Sequence, residues 1–207
     1  MKLVPPRRAP VRRRRLVIFV KEPRPGRVKT RLGAGIGMVA AARWQRRQSA
    51  ALIRRLAADA RWETWLAVTP DRDGMTSRVW PVGLRRWRQG GGDLGARMGR
   101  VFREFPPGPV VIVGADIPGV ARSDIAAAFA ALGETEAVIG PAEDGGYWLI
   151  GLARGRRRRP AGLFAGVRGS GAHARADTLA SLGGARTAML RTLRDVDDVE
   201  DLRAAEV

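Results

Sequence analysis

Cysteine is absent from the 207 residues. That absence excludes disulfides, thiolate zinc centres and a cysteine nucleophile together. Histidine occurs once, as His173 in a Gly/Ala/Arg-rich stretch. We read it as a bystander, so any general base has to be a carboxylate. Long apolar runs are also missing. The run nearest the amino terminus, 16–20, spans five residues before Lys21 and Glu22 interrupt it. A secretory core needs about 7–15 apolar residues and a membrane helix about 20. No membrane insertion is expected, and a cysteine-free chain fits a reducing cytoplasm, the compartment expected here. Lysine is scarce too, because all but Lys2, Lys21 and Lys29 of the 38 cations are arginine.

The length fits one domain, large enough to bury a core without staples. The net charge of +18 raises the possibility of a nucleic-acid surface. However, much of the excess lies in two arginine runs, 12–15 and 156–159, and abundant alanine and glycine match a GC-rich coding bias. These charges read as solvated arms and loops rather than a dedicated nucleic-acid surface. Residues 1–15 are expected to form a basic arm outside a domain spanning 16–207.

The pattern of elements predicts an α/β fold. Apolar runs without alternation, at 16–20 and 110–114, predict buried strands. Further strands are predicted at 64–69, 84–88, 137–140, 147–151 and 187–190. Helices are predicted at 38–60, 94–104, 123–132 and 174–182, with another after Asp198. Residues 21–37 read as one Pro/Gly-rich loop, and 154–172 as an irregular basic segment. Alternation of this kind implies a doubly wound, mostly parallel sheet with helices on both faces. The six tryptophans are scattered, as suits core and rim positions rather than a base-stacking platform.

Four segments carry candidate chemistry. The loop from Lys21 to Arg31 holds two of the three lysines, Lys21 and Lys29. Compact ammonium groups there suit point-charge phosphate binding, and Pro25-Gly26 suits a tight turn. It is not a Walker loop, because Val28 stands where glycine must precede the Lys-Thr pair. Nor does G-x-G-x-x-G fit, because Gly33 and Gly35 are followed by Met38. Asp116 follows a buried strand and precedes Ile117-Pro118. A carboxylate at the carboxyl end of a parallel strand is placed for a divalent cation carrying phosphate. In Gly140-Pro-Ala-Glu-Asp-Gly-Gly-Tyr147, two acids beside paired glycines suit a polar ligand close to the backbone, or a tight hairpin. The acids of 195–201 suit the positive end of a helix, with a metal ligand among them as the alternative.

Five blocks, in order, carry a family resemblance: residues 19–32, Gly92-Asp-Leu-Gly-Ala-Arg-Met98, Gly114-Ala-Asp-Ile-Pro118, residues 140–151 and Asp195-Val-Asp-Asp-Val-Glu-Asp-Leu202. The set resembles the DUF2064 glycosyltransferases, the radical-SAM/selenodomain-associated transferases linked to arsenosugar biosynthesis, over residues 16–202. The resemblance implies a Rossmann-like nucleotide-diphospho-sugar transferase (GT-A) domain that moves a sugar from a nucleotide sugar to a small acceptor. It further implies that Lys21, Pro25, Gly26, Lys29, Arg31, Asp93, Gly95 and Arg97 face the nucleotide. Asp116 and Asp197 would hold Mg2+ or Mn2+, Asp116 and Asp144 would act in catalysis, and Glu143, Asp144, Gly145, Gly146 and Tyr147 would face the sugar or acceptor. In one departure from the family, a tryptophan followed by small hydroxyl residues is replaced by Val167-Arg-Gly-Ser-Gly171. Two other readings remain open. One is a nucleotidyltransferase joining an NTP to a phosphorylated small molecule, since 2-phospholactate guanylyltransferases have a similar Lys-Thr/Ser-Arg-Leu loop. The other is a basic nucleic-acid-binding module. The oligomeric state is left open.

Overall fold

The computed structural model describes residues 13–153, 160–169 and 171–205. Of the basic arm expected over residues 1–15, residues 1–12 lie outside the described residues, as does the 156–159 arginine run, whereas Arg15 is the buried first residue of a strand rather than part of an arm.

Among the described residues fourteen elements follow one another. The strands are β1 (Arg15–Lys21), β2 (Glu63–Thr69), β3 (Arg85–Arg88), β4 (Val110–Gly114), β5 (Ala137–Pro141), β6 (Tyr147–Leu152) and β7 (Thr187–Met189). The helices are α1 (Thr30–Ile36), α2 (Met38–Ala57), α3 (Asp71–Thr76), α4 (Leu94–Glu104), α5 (Arg122–Ala131), α6 (Ala174–Ser181) and α7 (Val199–Ala205). Among the described residues no helix is long and apolar enough to cross a membrane.

The strands form one seven-stranded sheet in the order β3-β2-β1-β4-β6-β5-β7. Only β6 runs against its neighbours. The expected α/β architecture with a mostly parallel sheet is therefore observed. The reversal of β6 matters for the site. Val113 pairs with Leu149, and Pro141 with Tyr147. The start of β6 therefore reaches the same sheet edge as the ends of β1, β4 and β5.

The sheet is covered on both faces because its central strands are apolar on both. From β1, Leu16, Ile18 and Val20 enter one core with Leu52, Ile53 and Leu56 of α2 and Ile125 and Phe129 of α5. Val17 enters the other, with Met98, Val101 and Phe102 of α4 and Ile112 and Ile150 of the sheet. Complete burial of one such side chain contributes about 1.5–3 kcal/mol. Gly140 is needed where it stands, because a Cβ there would lie 2.4 Å from the Trp148 ring.

Two short helices depart from the sequence reading. α1 lies inside the stretch 21–37 read as a loop. Its two glycines weaken helical propensity by roughly 1 kcal/mol each, but they allow close packing. Cβ atoms at Gly33 and Gly35 would strike Met38 and Val199, and Leu32 is fully buried. α3 follows Pro70, with Gly74 set against Val68. In both cases tertiary contact overrides local preference.

Candidate active site

The loop after β1 turns at Pro25 and Gly26. Gly26 has φ +72°, and Arg27 N donates to Arg24 O at 3.0 Å. The expected tight turn is present, and Arg24 reaches outward to Asp73 at 2.9 Å. The chain then passes through Lys29, a left-handed residue at φ 45° that precedes α1. This conformation projects the Lys29 side chain inward.

There Lys29 Nζ donates to Asp116 Oδ2 at 2.9 Å and to Asp197 Oδ1 at 2.6 Å. Arg31 also pairs with Asp197. The two distant aspartates thus converge on one cation, which is an ammonium group. Burial alone would depress the Lys29 ammonium, but the charge of Asp116 and the hydrogen bonds to Asp197 and Asp116 overcome this and hold it above its ordinary value. Asp116 sits just past β4. Asp197 arrives because the segment after β7 tracks the end of β5: Leu193 N donates to Pro141 O at 3.0 Å, and Glu143 N to Leu193 O at 3.2 Å. Val196 N then reaches Asp116 O at 3.4 Å.

That segment is fixed at both ends. Arg191 grips Asp124 of α5 with two hydrogen bonds, 2.6 and 2.7 Å, and its carbonyl accepts from Trp148 Nε1 at 3.1 Å. At the other end Asp201 Oδ2 accepts from Asp197 N at 2.9 Å, while Asp198 Oδ1 accepts from Glu200 N and Asp201 N. Most acids of this run therefore serve the start of α7, as the sequence suggested.

Two cavities meet at this sheet edge. A polar cleft of about 830 Å³ is bounded by Lys21, Arg27, Lys29, Arg31, Asp116 and Asp197 among others. An apolar chamber of about 310 Å³ lies behind it, against Phe19, Leu94, Met98, Ile112, Tyr147 and Ile150. Lys21, Gln45, Asp116, Asp144 and Asp195 border both. Asp144 closes the Glu143–Gly146 turn by accepting from Gly146 N at 2.8 Å, so the hairpin alternative and a place at the cavity hold for the same residue. Gly145 adopts φ +88° in that turn.

Several sequence candidates stand outside both cavities. Asp93 caps α4 by accepting from Ala96 N at 2.7 Å, Gly95 packs against Phe164, and Arg97 donates to Gly92 O at 2.9 Å. Pro25 and Gly26 form the turn, Glu143 lies 4.0 Å from Arg194, and Gly145 packs on Ala172. The helix bearing Asp93 and Arg97 instead presents Leu94 and Met98 to the chamber.

Two polar residues at the site escaped the sequence reading. Asp195 had a usable signal, its place in the acidic run. Burial, then the charges of Asp197, Asp144 and Asp116, push its carboxyl up to about 6 against the opposing pull of Lys29. Gln45 had a weaker signal: with Ser49 it is a polar pair spaced i,i+4 on the face that carries Ala41, Ala42 and Leu52. Its Nε2 donates to Ser49 Oγ at 3.1 Å.

A metal fits only as a shared ligand. Among the described residues no three acidic or histidine side chains group closely enough to hold one alone. Asp116 and Asp197 already share the Lys29 ammonium, so a metal held by them would need substrate phosphates to complete it, as is usual for Mg2+.

Comparison with solved structures places this fold. A candidate nucleotide-diphospho-sugar transferase from Desulfovibrio desulfuricans G20 superposes with a TM-score of 0.77 and 28% identity, over 93% of this chain and 85% of that one. A 4-diphosphocytidyl-2C-methyl-D-erythritol synthase from Anaerococcus prevotii DSM 20548 shares the fold at TM-score 0.59 and 9% identity, with 94% of each chain covered. The manganese complex of Rv0371c from Mycobacterium tuberculosis H37Rv does so at 0.56 and 16%, over 93% of this chain and 97% of that one. No curated protein matches the sequence. The domain is thus a single α/β unit of the nucleotidyltransferase and GT-A-like class. Residues 52–171 match the model of DUF2064, described as an uncharacterized protein conserved in bacteria, and the chain belongs to that family.

Proposed function

We propose that this protein is a transferase that moves a sugar from a nucleotide-diphosphate sugar to a small acceptor. The observation that carries the reading is the meeting of Lys29, Asp116 and Asp197, from three separate chain segments, beside a cation-rich cleft. Ligands of open α/β sheets bind at the carboxyl ends of strands where strand order reverses. Here the order reverses between β1 and β4, the two strands that deliver Lys29 and Asp116. The 28%-identical relative described as a nucleotide-diphospho-sugar transferase supports the same reading.

Lys21, Lys29 and Arg31 offset the charge of the diphosphate, with the buried ammonium acting where water screens it least. Asp116 and Asp197 would hold Mg2+ or Mn2+, an ion that neutralises charge building on a leaving diphosphate. Asp144, at the junction of cleft and chamber, would take the proton of an acceptor hydroxyl.

A thermal-shift screen of UDP-, GDP-, ADP- and dTDP-sugars, with and without Mn2+, tests the proposal, because a ligand bound to the native state raises Tm. No shift with any nucleotide sugar would refute it. Release of nucleoside diphosphate identifies sugar transfer. Release of pyrophosphate from an NTP would instead identify nucleotidyl transfer, which the same cleft could serve.

A further inference from the structure

The apolar chamber has a division of polarity that the transferase reading does not use. Each charged or amide side chain on its boundary, from Lys21 to Asp195, also borders the polar cleft. Beyond that shared rim, the side chains able to hydrogen-bond among the described residues are Tyr147 and Trp148; the Trp148 N–H is already used, and the Tyr147 hydroxyl accepts one bond and keeps its own proton to donate. Thr178 Oγ1 donates to the Tyr147 hydroxyl at 3.3 Å, and Trp148 Nε1 donates to Arg191 O at 3.1 Å. The remaining wall is apolar, with Phe19, Leu94, Met98, Ile112, Leu149 and Ile150 among its large side chains and small residues such as Ala174 between.

We propose, on the basis of that transferase reading, that the chamber is the acceptor subsite and that the acceptor is an alcohol with a predominantly apolar body. A sugar or other polyol buried there would meet one side-chain donor away from the rim, the Tyr147 hydroxyl, and would strand its other hydroxyl groups without side-chain partners, each at a cost. A nucleobase would likewise leave its donor and acceptor edge unread. An aromatic or alkyl body satisfies the wall, and its single hydroxyl emerges at the rim beside Asp144. The volume of about 310 Å³ suits a small ligand, at the lower end of the roughly 300–1,000 Å³ usual for such sites. In the reaction the hydroxyl oxygen bonds to the anomeric carbon of the donor sugar as the bond from that carbon to the phosphate oxygen breaks. The hydroxyl proton passes to Asp144, and the nucleoside diphosphate departs with the bonding pair.

The test compares benzyl alcohol, 2-phenylethanol and 1-hexanol with glycerol and glucose as acceptors, using whichever nucleotide sugar binds in the thermal-shift screen. Apolar alcohols should be used with kcat/KM roughly 100-fold or more above the polyols. Leu94→Asp should lower that ratio by about 10-fold or more. Leu94 is 48% exposed and occupies the first turn of α4, where an acid is favourable, so the variant should fold. Donor Kd, measured on the same samples, reports the cleft separately. Calorimetric titration of 2-phenylethanol into wild type and Leu94→Asp reads the chamber without turnover. Binding that weakens in the variant sustains the chamber assignment even if no nucleotide sugar binds, in which case the transferase reading alone falls. Polyols used as well as apolar alcohols, no binding of 2-phenylethanol, or its displacement by a free nucleoside would each overturn the proposal.

Discussion

The cleft and the chamber share one sheet edge and one rim, yet they are made from different parts of the fold. The cleft takes its walls from connections: the loop after β1, the turn after β4 and the segment after β7. Those connections carry charge because their side chains face solvent or each other. The chamber takes large apolar side chains from regular elements: Phe19 of β1, Ile112 of β4, Ile150 of β6, and Leu94 and Met98 of α4. Met98, Ile112 and Ile150 belong to the core between that helix and the sheet. The chamber is thus core that stops short of closing, whereas the cleft is loop chemistry gathered by topology. Charge recognition and apolar recognition can therefore vary separately in this domain.

The largest expected effect lies at Lys29, whose side chain is only 8% exposed. Lys29→Ala leaves two carboxylates facing each other without their cation. Loss of one preorganised electrostatic group typically costs about 10²–10³-fold in kcat, and steady-state kinetics with the donor identified by thermal shift should show a fall of that order.

Next comes the metal. With two carboxylates converging and, among the described residues, no group of three close enough to hold a metal, Mn2+ alone should move Tm little. Mn2+ with nucleotide sugar at about 100 times Kd should stabilise by roughly 2.7 kcal/mol. Asp116→Asn should abolish the Mn2+-dependent part of that shift, seen by calorimetry. An equal response to Mn2+ without nucleotide would show that the cleft holds the ion unaided and would break the contrast with a donor-completed site.

The Asp124–Arg191 clamp separates anchoring from chemistry. Burial would raise the Asp124 carboxyl, but Arg191 and the Ala121 N–H overcome it and hold it below its ordinary value. A carboxyl depressed by folding contributes stability above its unfolded value and loses it as pH falls through the folded one. Urea midpoints should therefore fall on acidification in wild type and fall less in Arg191→Ala. That variant should also cost about 1–3 kcal/mol at neutral pH and, by loosening the segment that delivers Asp197, weaken donor binding. The smallest effect belongs to Arg31→Ala. With the Arg31 side chain 75% exposed, its pair with Asp197 should contribute about 0.2–1 kcal/mol to stability. A fall in kcat for Arg31→Ala as large as that for Lys29→Ala, in the same steady-state assay, would show that burial does not rank these two cations.

The buried strands β1 and β4 were legible in the sequence because a strand covered on both faces needs an unbroken apolar run, and so were α4 and the acids at the start of α7. The family blocks also pointed to Lys29, Asp116 and Asp197. The short helices α1 and α3 were not legible, because glycines that local propensity counts against them are what allow their packing. Asp93 and Arg97 illustrate the same limit. Their block is recognisable, but whether a polar side chain serves a ligand or a helix end depends on which way the helix faces. Gln45 and the apolar wall carried almost no local signal, since a lining residue and a core residue have the same chemistry.

By itself, the sequence determined the layered α/β order, the absence of thiol chemistry and the residues able to carry charge to a sheet edge. Apolar periodicity and side-chain type suffice for these. Only the tertiary structure decided that Asp116 and Asp197 share one ammonium, that the reversed β6 brings Tyr147 to the same edge, and that an apolar chamber opens behind them. The shared ammonium alone depends on contacts between residues 87 and 168 positions apart, which local propensities do not encode.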